Sequence, residues 1–380
     1  MEEKLKLYLK SMISNEGSDL HIKSGAITRV RINGILRLLG KDSLSADQVD
    51  AIAQEITSKE QYDRLKVDRN LDFSYILGDK HRFRVNFFYQ MDGLSAVFRL
   101  IPVDILSLDE LQLPESIKSF TEIQRGLVLI TGVTGSGKST TLAAIVEKIN
   151  REQKKHIITI EDPIEFIHKD RECLINQRAI GLDTYSFSDA LRASLREDPD
   201  IIIVGEMRDL ETIDIALHAA NTGHLVFSTL HTLDAKETID RIIGMFSKEE
   251  QNRIRASLAS VLEGVISQRL IPTTRGGRTA AIEILKKTAR IQQLIMENRD
   301  YEIPDALFEG KDIYGTQTFD QALLDLLQEG RITEKVTLEY ATSPADMKLK
   351  MEGVGKGAIV KDNLNNKEVD VFEFKEDEES

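Results

Sequence analysis

GVTGSGKST, residues 132–140, places three glycines and a lysine within nine residues. Its first eight residues match the pattern G-x-x-x-x-G-K-[S/T] in full, between an apolar stretch and a helix-forming one. Glycines let the backbone turn tightly and point N–H groups at phosphate oxygens, and the helix N-terminus adds about half a positive charge. The stretch predicts a loop for nucleotide phosphates, with Lys138 on the β- and γ-phosphates and Ser139 as a Mg²⁺ ligand. The predicted nucleotide-binding residues are Gly132, Val133, Thr134, Gly135, Ser136, Gly137, Lys138, Ser139 and Thr140.

Four apolar stretches around this loop have the length and composition of buried strands. They are GLVLIT (126–131), HIITIED (156–162), DIIIVGE (200–206) and HLVFSTLH (224–231), and helical patterns alternate with them. Continuous apolar strands that alternate with helices are typical of a parallel sheet covered on both faces. The sequence therefore predicts an α/β domain in this part of the chain.

Acidic residues follow two of these strands. Glu161 and Asp162 end one, and Glu206 comes one residue after another. Because ligands of open α/β sheets lie beyond the carboxyl ends of the strands, both positions suit a residue that activates water. Gly205 stands where an aspartate is common, so Mg²⁺ would depend on Ser139 and water, and Glu206 would be free as a base. Solvated strand-end acids remain the alternative, and Asp162 equally suits a cap before Pro163.

Two histidines bracket the last of the four strands. His224 and His231 are seven residues apart, which on a regular strand places them roughly 23 Å apart on opposite faces. They cannot share one metal ion in that geometry. His231, at the carboxyl end, could sense a γ-phosphate, and ordinary polar strand ends are the alternative for both histidines.

Residues 1–110 predict a smaller α+β domain with a helix at 3–15 and two hairpins. The hairpins bend at Asn33-Gly34 and Asp92-Gly93, which are favoured turn dipeptides. Arg82, Arg84 and Arg99 flank the second hairpin. They form either a solvated sheet face or a source of arginine for a phosphate across an interface.

The rest of the chain predicts a linker at 111–118, a domain at 119–345 that becomes helical from residue 247, and an acidic, flexible tail at 346–380. The apolar spacing of Ile254, Leu258, Val261, Leu262 and Val265 predicts one continuous helix there. A single cysteine excludes a disulfide framework and a four-cysteine zinc site, and fits a reducing cytosol. The net charge of −13 disfavours nonspecific nucleic-acid binding, because phosphate backbones need a basic surface.

These residues together resemble the type IV pilus retraction ATPases (PilT/PilU-like) of the secretion ATPase superfamily. The resemblance covers about 1–345 and includes GSDLHI (17–22), RFRVNFFYQ (82–90), IEDPIEF (160–166), LREDPDIIIVGEMRDLETI (195–213) and TGHLVFSTLHT (222–232). It implies a homohexamer at the cytoplasmic face of the inner membrane. Each chain would have an N-terminal PAS-like domain and a RecA-like P-loop ATPase domain with C-terminal helices. By motif match, the catalytic residues would be Glu206, Glu161, Arg84, Arg99, His231 and His224.

The same resemblance implies ATP and Mg²⁺ as cofactors, and an inner-membrane pilus platform protein as partner, reached without a membrane span. A paralogous retraction ATPase is a further possible partner, and no nucleic acid is expected. The stretch RIQQLI (290–295) carries Gln292 where PilT-type chains have an arginine, and the end of the chain is similar to PilU. DPDIIIVGEMRDLETI is similar to PilT, and the balance leans to an accessory, PilU-like motor. Two alternatives stay open: a nucleotide-dependent accessory module with little hydrolysis, and a DNA-translocating motor, which the charge disfavours.

Overall fold

The computed structural model describes residues 1–32, 34–78, 81–101 and 105–354. These residues form two β-sheets, one in each half of the chain, of six and seven strands. Among them, none of the helices is both long enough and apolar enough to cross a membrane.

The N-terminal sheet is antiparallel throughout, with the strand order β3-β2-β1-β6-β5-β4. Both predicted hairpins are confirmed: Ile32 pairs with Ile35, and Gln90 pairs with Gly93. Two three-strand meanders therefore meet where β1 pairs with β6. The elements are helix α1 (Glu2–Ser14), strands β1 (Asp19–Lys23), β2 (Ile27–Ile32) and β3 (Ile35–Ser43), helices α2 (Ala46–Ile56) and α3 (Lys59–Asp68), and strands β4 (Asn70–Leu77), β5 (His81–Gln90) and β6 (Gly93–Ile101).

One face of this sheet packs under the three helices. Phe83, Phe87 and Phe98 are fully buried there, and Phe87 meets Phe98 edge to face at 6.1 Å between ring centroids. Alternate residues of β5, Arg82 and Arg84 among them, lie on the other face, because successive strand side chains point to opposite sides. Burial of the phenylalanines thus fixes which face carries the arginines.

The C-terminal sheet has the order β13-β12-β7-β11-β10-β8-β9 and is parallel except for its β12–β13 edge. Its central strands are buried on both faces, which confirms the α/β prediction for this part of the chain. The strands are β7 (Gly126–Thr131), β8 (His156–Glu161), β9 (Leu174–Ala179), β10 (Ile201–Val204), β11 (Leu225–Leu230), β12 (Leu262–Pro272) and β13 (Arg278–Lys286). The helices between them are α4 (Lys138–Glu152), α5 (Phe187–Ser194), α6 (Leu210–Asn221), α7 (Ala235–Gly244) and α8 (Gln251–Val261).

The prediction of continuous helix after residue 247 is wrong. Helix α8 ends at Val261, and the chain then enters strand β12, which carries Leu262 and Val265. The spacing of the apolar residues fits a helix, but β12 is buried by pairing with β7 on one side and β13 on the other. At Gly264 a Cβ would lie 2.1 Å from the Phe120 ring, so only glycine allows this strand its close approach.

Six further helices follow β13: α9 (Ala289–Met296), α10 (Ile303–Glu309), α11 (Lys311–Tyr314), α12 (Phe319–Gln328), α13 (Glu334–Tyr340) and α14 (Pro344–Val354). The boundary predicted for the acidic tail, residue 346, falls inside α14. Met347 of that helix is fully buried against the apolar side of α12. The predicted tail beyond 354 lies outside the described residues.

The stretch predicted as a linker, 111–118, is packed rather than extended. Leu108 and Ile117 are buried in the core of the C-terminal sheet, and Leu111 and Leu113 pack against it. A short 3₁₀ helix over Glu115–Thr121 leads from there toward β7. The chain is therefore anchored to the second sheet from Leu108 onward.

Candidate functional site: an interdomain phosphate cleft

The glycine-rich loop runs from the end of β7 to the start of α4, as its sequence predicts. Gly132 has a φ of 142°, and a Cβ there would lie 2.4 Å from the Gln268 carbonyl oxygen. Gly137 has a φ of 93°, and a Cβ there would lie 2.7 Å from the Gln268 side-chain nitrogen. Both positions need glycine for backbone conformation and for space, which brings the loop against β12.

Lys138 lies in the curve of this loop. Its ammonium group donates hydrogen bonds to the carbonyl oxygens of Gly132 at 2.8 Å and Val133 at 3.1 Å. Burial lowers the pKa of Lys138, and the carboxylates of Glu206 and Glu165 act in the opposite direction. A buried cation at the N-terminus of a helix forms a site for an anion.

A cleft of about 700 Å³ opens in front of the loop. It is lined by Lys138 and Ser139 from the loop, by Glu161 and Glu206 from the strand ends, and by His231 after β11. Arg84 and Arg99 of the N-terminal domain line it from the opposite side. Seven residues that sequence reasoning placed in one site therefore share one cleft.

Glu206 lies two residues beyond the end of β10, and two side chains lie beside its carboxylate. Arg208 donates from Nε at 2.8 Å, and His231 Nε2 lies 3.6 Å from the other oxygen. The second ring nitrogen of His231, Nδ1, lies 3.3 Å from the Thr134 hydroxyl of the loop. His231 thus bridges the phosphate loop and the Glu206 carboxylate.

Glu161 ends strand β8 and is held by its neighbours. Its carboxylate accepts hydrogen bonds from the Thr159 hydroxyl at 2.6 Å, the Glu165 backbone N–H at 3.2 Å and the Gln177 amide at 3.3 Å. Burial nevertheless raises the pKa of Glu161. The two strand-end acids therefore differ, because the Glu206 carboxylate is paired with the Arg208 guanidinium, whereas the hydrogen-bond donors to Glu161 are all neutral.

The two arginines stand side by side on the N-terminal sheet, where Arg84 of β5 pairs directly with Arg99 of β6. Arg99 donates from Nε to the Asp19 carboxylate at 2.7 Å, and Asp19 also accepts from the Ser18 hydroxyl. Burial opposes charge on Asp19, but the hydrogen bonds from Ser18 and Arg99 outweigh it and lower its pKa. Because a guanidinium carries five N–H donors, Arg99 keeps its terminal nitrogens for a ligand in the cleft.

Comparison with known proteins identifies this arrangement. A family model described as type II/IV secretion system protein matches residues 1–276. The type IV pilus retraction ATPase PilT of Pseudomonas aeruginosa is 46% identical over 327 residues, which cover 86% of this chain and 95% of that protein. The chain belongs to the type II/IV secretion system protein family, among its pilus retraction ATPases.

Two further relatives agree with this membership. The type IV pilus ATPase PilU of the same organism is 38% identical over 342 residues, which cover 90% of this chain and 89% of that protein. The crystal structure of the pilus retraction motor PilT with bound ADP matches at a TM-score of 0.85 and 41% identity, covering 90% of this chain and 98% of that one. The retraction ATPase described here is therefore an ATP-hydrolysing enzyme, with a strand-rich N-terminal domain and a parallel-sheet ATPase domain.

The structure does not bring His224 of this retraction ATPase to the cleft. His224 precedes β11 at the amino end of the strand, where its Nδ1 lies 3.1 Å from the Ala219 carbonyl oxygen at the end of α6. The strand separates it from His231, as the spacing predicts. Within one chain, the catalytic prediction for His224 therefore has no geometric support.

Sequence reasoning missed several residues that support the ATPase site. Gln268 of β12 is buried and accepts a hydrogen bond from the Thr141 hydroxyl of α4 at 2.8 Å, beneath the phosphate loop. Arg208 holds Glu206, and Asp19 holds Arg99. The stretches containing Asp19 and Arg208 were recognised as motifs, but the partners of these side chains lie on other elements and have no spacing signal.

A second cavity of about 640 Å³ adjoins the cleft, and the two share Gly137, Thr140, Leu270 and Arg278. Leu106, Leu111 and Leu113, which join the two domains, line its apolar side.

The residues in the cleft fit a bound Mg²⁺. Ser139 offers a hydroxyl oxygen at the start of α4 and Glu161 a carboxylate, and such hard oxygen donors are what Mg²⁺ prefers alongside phosphate oxygens and water. Within residues 1–32, 34–78, 81–101 and 105–354, no cluster of three or more His, Cys, Asp or Glu residues forms a metal site of its own. A metal here would depend on the nucleotide for part of its ligands.

Proposed function

We propose that this retraction ATPase binds Mg²⁺–ATP between its two domains and converts hydrolysis into opening and closing of the cleft. The observation that carries the proposal is the shared lining of one cleft by Lys138 and Ser139 on one side and Arg84 and Arg99 on the other. A triphosphate in the cleft would be in reach of cations from both domains. Loss of its γ-phosphate would weaken the contact between them.

In the proposed reaction, water attacks the γ-phosphorus while the bond to the β–γ bridging oxygen breaks, giving ADP and phosphate. Glu206 accepts the proton of the attacking water. His231, which lies between Glu206 and Thr134 of the phosphate loop, keeps the carboxylate in position relative to the loop. Lys138 and the N-terminus of α4 bind the phosphate oxygens. Bound Mg²⁺, held through Ser139, supplies neutralisation of the phosphate charge. Glu161 orients water at the metal side of the cleft.

We further propose that six copies form a ring at the cytoplasmic face of the inner membrane. Successive closure around the ring would act on a pilus platform protein, retract a type IV pilus and so produce twitching motility. This assignment follows the names of the relatives, PilT above all. The net charge of −13 supports a protein partner rather than nucleic acid.

Local sequence features and overall sequence identity favour different subtypes of this motor. Gln292, half-buried on α9, and the end of the chain favour a PilU-like motor, whereas identity is higher to PilT (46%) than to PilU (38%). A strain lacking all its retraction ATPases decides between them. A PilT-like motor restores twitching by itself, and a PilU-like motor does so only together with a paralogue.

Steady-state phosphate release by the purified full chain tests the proposed enzyme activity. Wild type should release phosphate in a Mg²⁺-dependent manner, and Lys138→Ala should reduce turnover by at least about a thousandfold, because it removes the cation that stabilises the transferred charge. Thr222→Ala, at the C-terminal end of α6 and away from the cleft, is the control and should leave turnover unchanged. Nucleotide binding without phosphate release by wild type would instead support the accessory-module alternative.

A further inference from the structure

Three side chains form a row across neighbouring strands of the C-terminal sheet. Thr131 of β7 pairs directly with Ser267 of β12, and Ser267 pairs directly with Glu283 of β13. All three are buried, and the Thr131 hydroxyl donates to the Ser267 hydroxyl at 3.0 Å. Residues directly opposite on antiparallel strands have side chains on the same face, so the Ser267 and Glu283 side chains lie next to each other. The row begins at the residue immediately before Gly132 of the phosphate loop.

The far end of the row reaches the segment that follows His231. The Glu283 carboxylate accepts the backbone N–H of Ala235 at 2.8 Å. Ala235 is the first residue of α7, where a helix leaves N–H groups without internal partners. The side chain of Asp234, the residue before Ala235, already accepts the Glu237 N–H at 2.7 Å. Glu283 is thus the anchor for the start of α7.

The same row also touches the strand that precedes His231. Leu230, the last residue of β11, pairs directly with Thr131 on its other side. His231 therefore sits on a four-residue connection whose two ends, Leu230 and Ala235, are both fixed to the row. A shift of Thr131 or Glu283 would therefore move the ends of this connection and change the position of His231.

We propose that Glu283 is a positioning residue that couples the phosphate loop to the His231 segment through this buried row. Movement at Gly132 on nucleotide binding or phosphate release passes through Thr131 and Ser267 to Glu283, and from there to Ala235. The inference rests on the proposed role of His231 beside Glu206. It adds a connection behind the cleft that fixes the position of the His231 segment relative to the phosphate loop.

The charge of Glu283 makes this connection sensitive to pH. The pKa of Glu283 is raised to about 7, chiefly by burial and in part by Asp234, while the Ala235 N–H, Arg269 and Ser267 act in the opposite direction. The carboxylate accepts the Ala235 N–H, and a hydrogen bond to an ionised acceptor is the stronger one, so Glu283 holds the start of α7 most firmly when it is ionised. We expect the catalytic contribution of Glu283 to increase as the pH rises through about 7.

The effect on folding stability has the opposite sign. The folded-state pKa lies above the ordinary value of 4.5, so the folded protein binds more protons at this site than the unfolded chain does. The contribution of Glu283 to stability is therefore full below about pH 4.5 and is lost as the pH rises toward 7. Opposite pH trends in stability and in turnover distinguish a positioning role from a purely structural one.

The test compares wild type with Glu283→Gln by kcat, the KM for ATP and Tm between about pH 6 and pH 8.5. The amide keeps the size and one acceptor but does not titrate. We expect the variant to lack the wild-type rise in kcat around pH 7, to have about tenfold lower kcat at pH 8, and to change KM less than kcat. Its Tm relative to wild type should improve as the pH rises.

Glu147→Gln is the matched control, because Glu147 of α4 is also a buried carboxylate. Its partners are two arginines, Arg151 and Arg171, and it is not part of the row. This control should lower Tm and leave the pH profile of kcat unchanged. Ser267→Ala, which interrupts the row without removing a charge, should reduce kcat in the same direction as Glu283→Gln.

An unchanged kcat and pH profile in Glu283→Gln would overturn the inference, as would an equal change in Glu147→Gln. Both outcomes leave the proposed function intact as long as wild type hydrolyses ATP. Failure of wild type itself to release phosphate would instead contradict the proposed function.

Discussion

The two walls of the cleft are built in different ways. The wall of the ATPase domain consists of strand ends and a glycine-rich loop, whose positions follow from buried strand pairing and from contacts of Gly132 and Gly137 with Gln268. The wall of the N-terminal domain consists of Arg84 and Arg99, with 44% and 67% of their side chains exposed. Arg99 is held by the Asp19 carboxylate at 2.7 Å, whereas Arg84 lies 3.8 Å from the Asp72 carboxylate.

This difference indicates which wall of the cleft is rigid and which wall can rearrange when a nucleotide binds. Moving the phosphate loop would break a buried sheet and its core, which is costly. Arg84 can exchange its Asp72 partner for a phosphate at a solvated surface, where an ion pair contributes little. Arg99 can bind a phosphate through its terminal nitrogens while its Nε stays on the buried Asp19 carboxylate. Closure over the nucleotide is therefore expected to be driven from the N-terminal wall.

Glu206→Gln tests the fixed wall and should have the largest effect of the three substitutions considered for the two walls. Loss of the base should lower kcat by about a hundredfold to a thousandfold, with nucleotide affinity changed by less than about threefold. Phosphate release and binding of a fluorescent nucleotide measure the two quantities. Glu165→Gln, an exposed acid of the same cleft, is the control, and equal losses in both variants would contradict the assignment of Glu206.

Asp19→Ala tests the support of the responding wall. Removing the buried carboxylate frees Arg99 from its 2.7 Å contact, so we expect about tenfold lower kcat/KM and a free energy of unfolding lower by about 1–3 kcal/mol. Chemical denaturation and phosphate release at equal nucleotide concentration measure these effects. Wild-type kinetics in a destabilised Asp19→Ala protein would show that Arg99 does not need this orientation.

Asp72→Asn should have the smallest effect. Its carboxylate lies 3.8 Å from Arg84 and is half-exposed, so the pair contributes little to stability or to the position of the arginine. We expect kcat/KM within about twofold of wild type and an unchanged Tm. A loss as large as that of Asp19→Ala would mean that both arginines depend equally on their carboxylates.

The sequence was sufficient for the features that depend on neighbouring residues. The phosphate loop has a complete local sequence pattern. The apolar strands can be predicted from their composition, and the two hairpins from their favoured turn dipeptides. The acids after β8 and β10 follow directly from those strands, since parallel strand ends meet at one edge of a sheet. Glu161, Glu206 and His231 could therefore be predicted together.

The features that sequence reasoning missed depend on distant pairing. Val261, Leu262 and Val265 fit a helical spacing, and only the partners β7 and β13 make β12 a strand. Because the apolar spacing predicts a helix up to Val265 and gives no signal for β13, the row containing Ser267 and Glu283 could not be predicted from the sequence. The Asp19–Arg99 contact likewise joins residues 80 positions apart, for which a single sequence contains no periodic signal.

The packing of Leu108 and Ile117 against the second core has a mechanical consequence. The segment from Leu108 to Thr121 is anchored to the ATPase sheet, so it moves as a part of the ATPase domain. Any rotation of the N-terminal domain relative to that domain therefore leaves this segment in place. In the proposed ring, the anchored segment would carry the motion of each ATPase domain to the base of its own N-terminal domain.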